Sequence, residues 1–141
     1  MITFQCIDVS KPVLDYDRVR LWIDEVVSIH HHSVGELHYY FCTDEKLLEI
    51  NRLRLGHDFY TDIITFPLTD CSDSLSSEFC ISLDRIADNA SQFSRSYDNE
   101  LCRVLIHGVL HLLGFDDKAP EDEKLMRQKE EECLSLLSTD L

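Results

Sequence analysis

Two histidines and two aspartates lie close together in the most apolar stretch of the sequence. His107 and His111 are four residues apart, Gly114 follows them, and Asp116 and Asp117 come next. Residues four apart share one face of a helix, so a helix here would present both imidazoles side by side. A catalytic zinc site has three protein ligands and leaves a fourth position open, whereas a structural site is closed by four. The spacing therefore predicts a metal site with two histidine ligands.

The third ligand is expected from the turn after this helix. Gly114 can adopt the left-handed conformation that ends helices, so either Asp116 or Asp117 could face the histidine pair. A metal held there would lower the pKa of a bound water toward about 7 and so supply a nucleophile at neutral pH. The alternative is a pair of core histidines that are only packed and hydrogen-bonded. Burying two imidazoles without a charge partner is unfavourable, and the aspartates therefore favour the metal site.

The residue after the first histidine excludes a large class of zinc enzymes. Metallopeptidases with the H-E-x-x-H motif have a glutamate there as general base, whereas this sequence has Gly108. Glycine inside a helix costs on the order of 1 kcal/mol relative to alanine, so we expect Gly108 to pack closely against a neighbour or a ligand. Glu100 lies seven residues before His107 on the same face. It is either an outer partner of the site or an exposed acid of the first helical turn.

The sequence is strongly acidic and shows no pattern typical of a membrane protein. The 141 residues include 27 acidic and 13 basic side chains, for a formal net charge of -14. This charge disfavours non-specific binding to nucleic acids or anionic membranes, so a nucleic-acid function would depend on a local site. The sequence shows no span of about 18 apolar residues, no signal peptide and no C-x-x-C spacing. We therefore expect one domain, residues 1–141, in the cytoplasm and without a membrane partner.

The rest of the sequence forms the elements that must position the helix with His107 and His111, called the histidine helix below. β-Branched and aromatic residues predict strands at residues 2–9, 36–42, 62–66 and 78–83. The helical spacing of apolar residues predicts five helices. Two of them span residues 43–44 through 53 and about 98 to 113, and the other three begin at Asp15, after Asp84 as N-cap, and at Pro120. Residues 68–77 have the polar composition of a loop. The expected fold is α+β: a small mixed sheet of about four strands packed with about five helices, with the histidine helix buried centrally.

Two segments of the sequence carry a family resemblance. Residues 107–117 read His-Gly-Val-Leu-His-Leu-Leu-Gly-Phe-Asp-Asp, and residues 51–67 run from Asn51 through Asp58 to Thr-Asp-Ile-Ile-Thr-Phe-Pro. With these segments the chain resembles the YbeY family of bacterial metal-dependent endoribonucleases, which act in ribosomal RNA maturation. The family motif His-Gly-x-Leu-His-Leu-x-Gly-Tyr/Phe-Asp-His is matched at every position but the last, where Asp117 replaces a histidine.

The resemblance implies a site and an activity. One zinc ion per chain would be held by His107, His111 and Asp117. Metal-bound water, with no side-chain base assigned, would attack phosphodiesters of single-stranded RNA. The expected role is that of an endoribonuclease in ribosomal RNA maturation and ribosome quality control, with the ribosome or its small subunit as partner.

One departure from the family keeps other functions open. The family has an arginine where this chain has Leu55, and an arginine there would stabilise charge that develops on the attacked phosphate. Arg54, His57 and Arg52 are the nearest residues that could hold the phosphate instead. The alternatives are a non-catalytic, metal-stabilised ribosome-assembly partner and a metallohydrolase with another substrate.

Overall fold

The computed structural model describes residues 1–68 and 74–139, which contain one four-stranded sheet and five helices. The strands are β1 (Ile2–Cys6), β2 (Ser33–Cys42), β3 (Ile63–Pro67) and β4 (Ser74–Ser82). The helices are α1 (Tyr16–Ile29), α2 (Asp44–Leu55), α3 (Leu83–Gln92), α4 (Tyr97–Leu112) and α5 (Pro120–Thr139). The described part of the chain therefore confirms the predicted α+β fold. None of its helices combines the length and hydropathy of a bilayer-spanning segment.

The sheet is mixed, and its strand order is β1-β2-β4-β3. β1 and β4 both run parallel to β2, whereas β3 runs antiparallel to β4. Successive side chains of a strand point to opposite faces of a sheet. Accordingly, Leu37, Tyr39 and Phe41 of β2 enter the main core with residues of α1, α4 and α5. On the other face, Tyr40 and Cys42 pack in a smaller cluster with α2.

Helix α4 lies at the centre of the main core, as predicted. Ser96 caps its N-terminus by accepting a hydrogen bond from the N–H of Asn99 at 3.1 Å. The hydroxyl of Tyr39 donates to the carbonyl of Leu105 at 2.9 Å and ties β2 to the helix. The buried residues lie nearly all round the helix: Glu100, Leu101, Cys102, Val104, Leu105, Ile106, Gly108, Val109 and Leu110. A helix held on so many sides is a rigid support for the side chains at its C-terminal end.

Gly108 allows α4 to approach the sheet closely. A Cβ atom at this position would lie 2.7 Å from Cε1 of Phe79 and 3.0 Å from Cδ1 of Ile63. Phe79 is completely buried and cannot move aside easily. Close packing is therefore the reason for the glycine, as expected, and it brings the face with His107 and His111 next to β3.

The predicted loop at residues 68–77 is partly wrong, because β4 already begins at Ser74. The serines that suggested a loop satisfy backbone groups of neighbouring strands. Ser76 Oγ accepts a hydrogen bond from the N–H of Glu36 at 2.9 Å, and Ser77 Oγ donates to the carbonyl of Phe66 at 3.0 Å. The polar composition of this segment thus predicted a loop where the structure has a paired strand. Residues 69–73 of the predicted loop lie outside the described residues.

The predicted cap of α3 is also wrong. Ser82, the last residue of β4, caps this helix by accepting a hydrogen bond from the N–H of Arg85 at 3.2 Å. Asp84 Oδ2 accepts one from the N–H of Asp44 at 2.8 Å and so connects the starts of α3 and α2. Both residue types are good N-caps, and the length of β4 decides which of them occupies that position.

Candidate functional site

The chain reverses direction directly after α4. Gly114 has a φ of 104°, in the left-handed region that glycine adopts readily. The N–H of Phe115 donates to the carbonyl of Leu110 at 3.0 Å, and the Phe115 side chain packs against the main core. These contacts fix the turn and bring residues 116–117 back to the histidine face of α4.

Three side chains converge at this turn, and their atoms form a small triangle. Nε2 of His107 lies 3.1 Å from Nε2 of His111. Oδ2 of Asp117 lies 3.4 Å from the His107 nitrogen and 3.5 Å from the His111 nitrogen. Ligand atoms at about 2.1 Å from a tetrahedral zinc ion are about 3.4 Å from each other. The three atoms, called the ligand triangle below, therefore have the size of one face of a zinc coordination tetrahedron.

The ligand triangle is open to solvent on one side. The exposed fractions of the His107, His111 and Asp117 side chains are 15%, 31% and 38%. Asp116, the other possible ligand, instead accepts a hydrogen bond from the N–H of Asp117 at 2.7 Å. Three converging side chains of metal-ligand type, with access for a fourth group, correspond to the open arrangement of catalytic metal sites.

Glu130 of α5 orients the first histidine. Its Oε2 accepts a hydrogen bond from Nδ1 of His107 at 2.5 Å, and only 3% of its side chain is exposed. Burial acts to raise the pKa of Glu130, but the hydrogen bond from His107 and the charge of Arg103 outweigh it, so the pKa is lowered. An ionised carboxylate only accepts, so it holds a proton on Nδ1 and leaves the lone pair of Nε2 for the ligand triangle.

Arg103 binds the carboxylates that surround this histidine. It donates to both oxygens of Glu100, at 2.8 and 2.7 Å, and to Glu130 at 3.2 Å. A third carboxylate, Asp62, lies 3.5 Å away. Burial acts to lower the pKa of Arg103, but the hydrogen bonds to Glu100 and the neighbouring carboxylates raise it, so the guanidinium stays charged. Glu100 is thus a buried outer partner of the site, not an exposed acid. Its carboxylate and those of Asp62, Glu130 and Asp117 outnumber the single guanidinium, which favours a bound cation.

Two clefts meet at the ligand triangle. The α2 cleft, of about 440 Å³, is lined by Leu55, His57, Phe59, Thr61, Pro67 and the triangle residues. The α5 cleft, of about 700 Å³, is lined by Phe93, Arg95, Arg103, Glu123, Arg127 and Glu131, and also by His107 and Asp117. Both clefts include His107 and Asp117, so the triangle is reached from two sides.

The structure separates the residues that were expected to hold a phosphate, and Arg52 among them pairs with a neighbouring carboxylate. His57 lines the α2 cleft with the ligand triangle. Arg54 directs its guanidinium over the ring of Phe66, 5.0 Å from the ring centroid. Leu55 also lines the α2 cleft, so an arginine at this family position would lie in the same cleft as the triangle.

Sequence reasoning missed Glu130, Arg103 and Asp62. Glu130 belongs to the buried stripe of α5, with Met126, Cys133 and Leu134. A glutamate at a position where helical spacing demands an apolar residue is the signal that could have identified it. Arg103 gives the same signal within the apolar sequence of α4.

Comparison with known proteins assigns the chain to a family. The family model for Endoribonuclease YbeY matches residues 7–138. Endoribonuclease YbeY of Phocaeicola vulgatus is 45% identical over 98% of this chain and 99% of its own length. The protein of the same name from Bacteroides thetaiotaomicron is 44% identical over 96% of this chain and 98% of its own length. The solution structure of TM1509 from Thermotoga maritima matches with a TM-score of 0.62 and 25% identity, covering 99% of this chain and 93% of that one. The chain therefore belongs to the YbeY endoribonuclease family.

Proposed function

We propose that this chain is a zinc-dependent endoribonuclease that cleaves single-stranded RNA, with His107, His111 and Asp117 as the metal ligands. The observation that carries the proposal is the spacing of the ligand triangle, whose edges of 3.1, 3.4 and 3.5 Å suit a tetrahedral ion. The surplus of carboxylates around Arg103 supports a divalent cation. Family membership supports RNA as the substrate, since the relatives are named endoribonucleases.

The side chains of the site have distinct tasks in this reaction. A bound zinc ion would polarise the phosphate and lower the pKa of a water ligand toward about 7. Glu130 keeps the proton of His107 on Nδ1, so that Nε2 can act as a ligand. Arg103 compensates part of the charge of Glu100 and Glu130 and so keeps both carboxylates fixed beneath the site. No side-chain base is assigned.

Glutamine in place of Glu130 is expected to weaken zinc binding by roughly 10- to 100-fold. The amide can still accept the hydrogen bond from Nδ1 but lacks the negative charge that makes His107 a stronger ligand. Competition with a chromophoric chelator measures the affinity. Glu132→Gln on the same helix is the control, because Glu132 is exposed and pairs with Lys129. An unchanged affinity in Glu130→Gln would remove the proposed role of this carboxylate.

The same proposal includes a cellular context. We propose ribosomal RNA as the natural substrate and the ribosome or its small subunit as partner, in RNA maturation and ribosome quality control in the cytoplasm. Residues 1–141 would act as a single domain. The main core supports this, because it contains residues from Ile2 in β1 to Leu134 in α5.

Cleavage of matched single-stranded and duplex RNA by the zinc-loaded protein tests the proposal. We expect the single strand to be cut faster, with activity lost in a chelator and restored by zinc. Cleavage that persists in the chelator would contradict the proposed mechanism.

The presence of a leucine at position 55 favours an alternative function, that of a non-catalytic partner in ribosome assembly. It puts an apolar side chain where the family has an arginine, and it lines the α2 cleft. This alternative predicts no RNA cleavage and unchanged ribosome association in a folded His107→Ala protein. A screen of phosphoesters and peptides would reveal a metallohydrolase with another substrate.

A further inference from the structure

We propose, on the basis of the endoribonuclease function proposed above, that the α2 cleft binds one unpaired nucleobase of the RNA by stacking on Phe59. Stacking requires a flat apolar surface that is exposed in the free protein and close to the reacting phosphate. The α2 cleft provides such a surface next to the ligand triangle.

Phe59 and His57 form a two-ring platform on the wall of this cleft. Their ring centroids are 5.2 Å apart and their planes are inclined by only 21°. The Phe59 residue is nevertheless 55% exposed, so the stack leaves aromatic surface open. The backbone beneath the ring is anchored, because Nδ2 of the buried Asn51 donates to the carbonyl of Phe59 at 2.9 Å. The ring is therefore presented to solvent on a fixed segment.

Charge distinguishes the α2 cleft from the α5 cleft. The arginines of the α5 cleft are each paired with a carboxylate: Arg95 with Glu131 at 2.6 Å, Arg103 with Glu100 at 2.7 Å and Arg127 with Glu123 at 3.3 Å. These cations are therefore already engaged, and six carboxylates line the same cleft, including Asp62 and Asp117, which also line the α2 cleft. The α2 cleft has these two acidic residues among neutral, apolar and aromatic ones. Fewer carboxylates thus face a polyanionic strand in the α2 cleft.

Stacking also suits the composition of this chain. An attraction between a base and an aromatic ring does not depend on net charge, so it can act in a protein with a charge of -14. Leu55, at the family's arginine position, extends the apolar wall beside the platform. Only an unpaired base can place its face on Phe59, because bases in a duplex are covered by their neighbours. The platform would therefore contribute to single-strand preference.

Tryptophan reporters in the two clefts test where a base stacks. Phe59 and Phe93 are both 55% exposed, and they line the α2 and α5 clefts respectively. Phe59→Trp and Phe93→Trp therefore form a matched pair, and the natural Trp22 is only 2% exposed. We expect single-stranded oligouridylate to quench Phe59→Trp saturably, with zinc or with chelator, and to leave Phe93→Trp unchanged. Quenching of Phe93→Trp alone, or of neither variant, would overturn the proposal.

The cleavage kinetics of alanine variants test the stacking subsite independently of the proposed nuclease activity. Phe59→Ala should lower kcat/KM for single-stranded RNA by roughly 5- to 150-fold, mainly through KM, since that is the range for loss of one stacked base. Phe93→Ala is the control and should retain wild-type kinetics. If the wild type cleaves RNA and Phe59→Ala matches it, the stacking subsite is wrong while the nuclease stands. If Phe59→Trp is quenched but the wild type does not cleave, the subsite stands and the nuclease is wrong.

Discussion

Replacing His111 with alanine is expected to abolish RNA cleavage, with a loss of roughly 1,000-fold or more, because the change removes one corner of the ligand triangle. A metal ion contributes several kcal/mol of charge stabilisation, and that contribution would be withdrawn. The helix itself should persist, since alanine is the best helix former. The His111 side chain is also 31% exposed, so little packing is lost. Single-turnover cleavage of single-stranded RNA with added zinc measures the effect.

The control for this variant is another histidine, which lines neither cleft at the triangle. His32→Ala changes a partly buried residue immediately before β2, whose Nδ1 lies 2.8 Å from the carbonyl of His30. We expect it to cleave RNA like the wild type. Wild-type cleavage by His111→Ala would show that the activity comes from a different site or from a contaminating nuclease.

Methionine in place of Arg103 is expected to lower the free energy of unfolding by about 3–5 kcal/mol. Only 1% of the Glu100 side chain and 3% of the Glu130 side chain are exposed, so both carboxylates would keep their burial and lose their counter-charge. Methionine is similar to arginine in length, which limits the cavity. Urea denaturation with constant protein concentration measures the change.

Two comparisons show whether lost charge compensation is the cause. Arg127→Met removes an exposed pair with Glu123 and should cost at most about 1 kcal/mol. Adding Glu100→Leu to Arg103→Met removes one of the orphaned carboxylates, so we expect the double variant to lose less than the sum of the two single changes. If Arg103→Met is as stable as Arg127→Met, the ion pairs of Arg103 with Glu100 and Glu130 do not stabilise the fold.

Local sequence patterns predicted those parts of the site that lie close together along the chain. His107 and His111 share one helix face because of their spacing, and Gly114 reverses the chain after them. The family motif then selected Asp117 over Asp116, and the Asp117 carboxylate lies within 4.8 Å of the nitrogen atoms of both histidines. Each of these features depends on dihedral angles within about three helical turns, which sequence patterns express well.

Tertiary contacts explain what the sequence could not predict. Glu130 reaches His107 from α5, 23 residues later, and no local pattern specifies how those two helices pack. Arg54 lies over Phe66 whereas His57 lines the α2 cleft, and between them Gly56 ends α2 with a φ of 68°. The strand that begins at Ser74 forms because β2 offers a partner, although its own serines favour turns.

Elemental analysis of bound zinc tests the central claim most directly. It compares the metal content of purified wild type, His111→Ala and Asp117→Ala after equilibration with zinc. The ligand triangle predicts about one tightly held zinc ion per wild-type chain and a large loss in both variants, each of which lacks one of three ligands. Far-ultraviolet circular dichroism confirms that the variants are folded. Equal zinc content in wild type and folded Asp117→Ala would contradict the proposed ligand set.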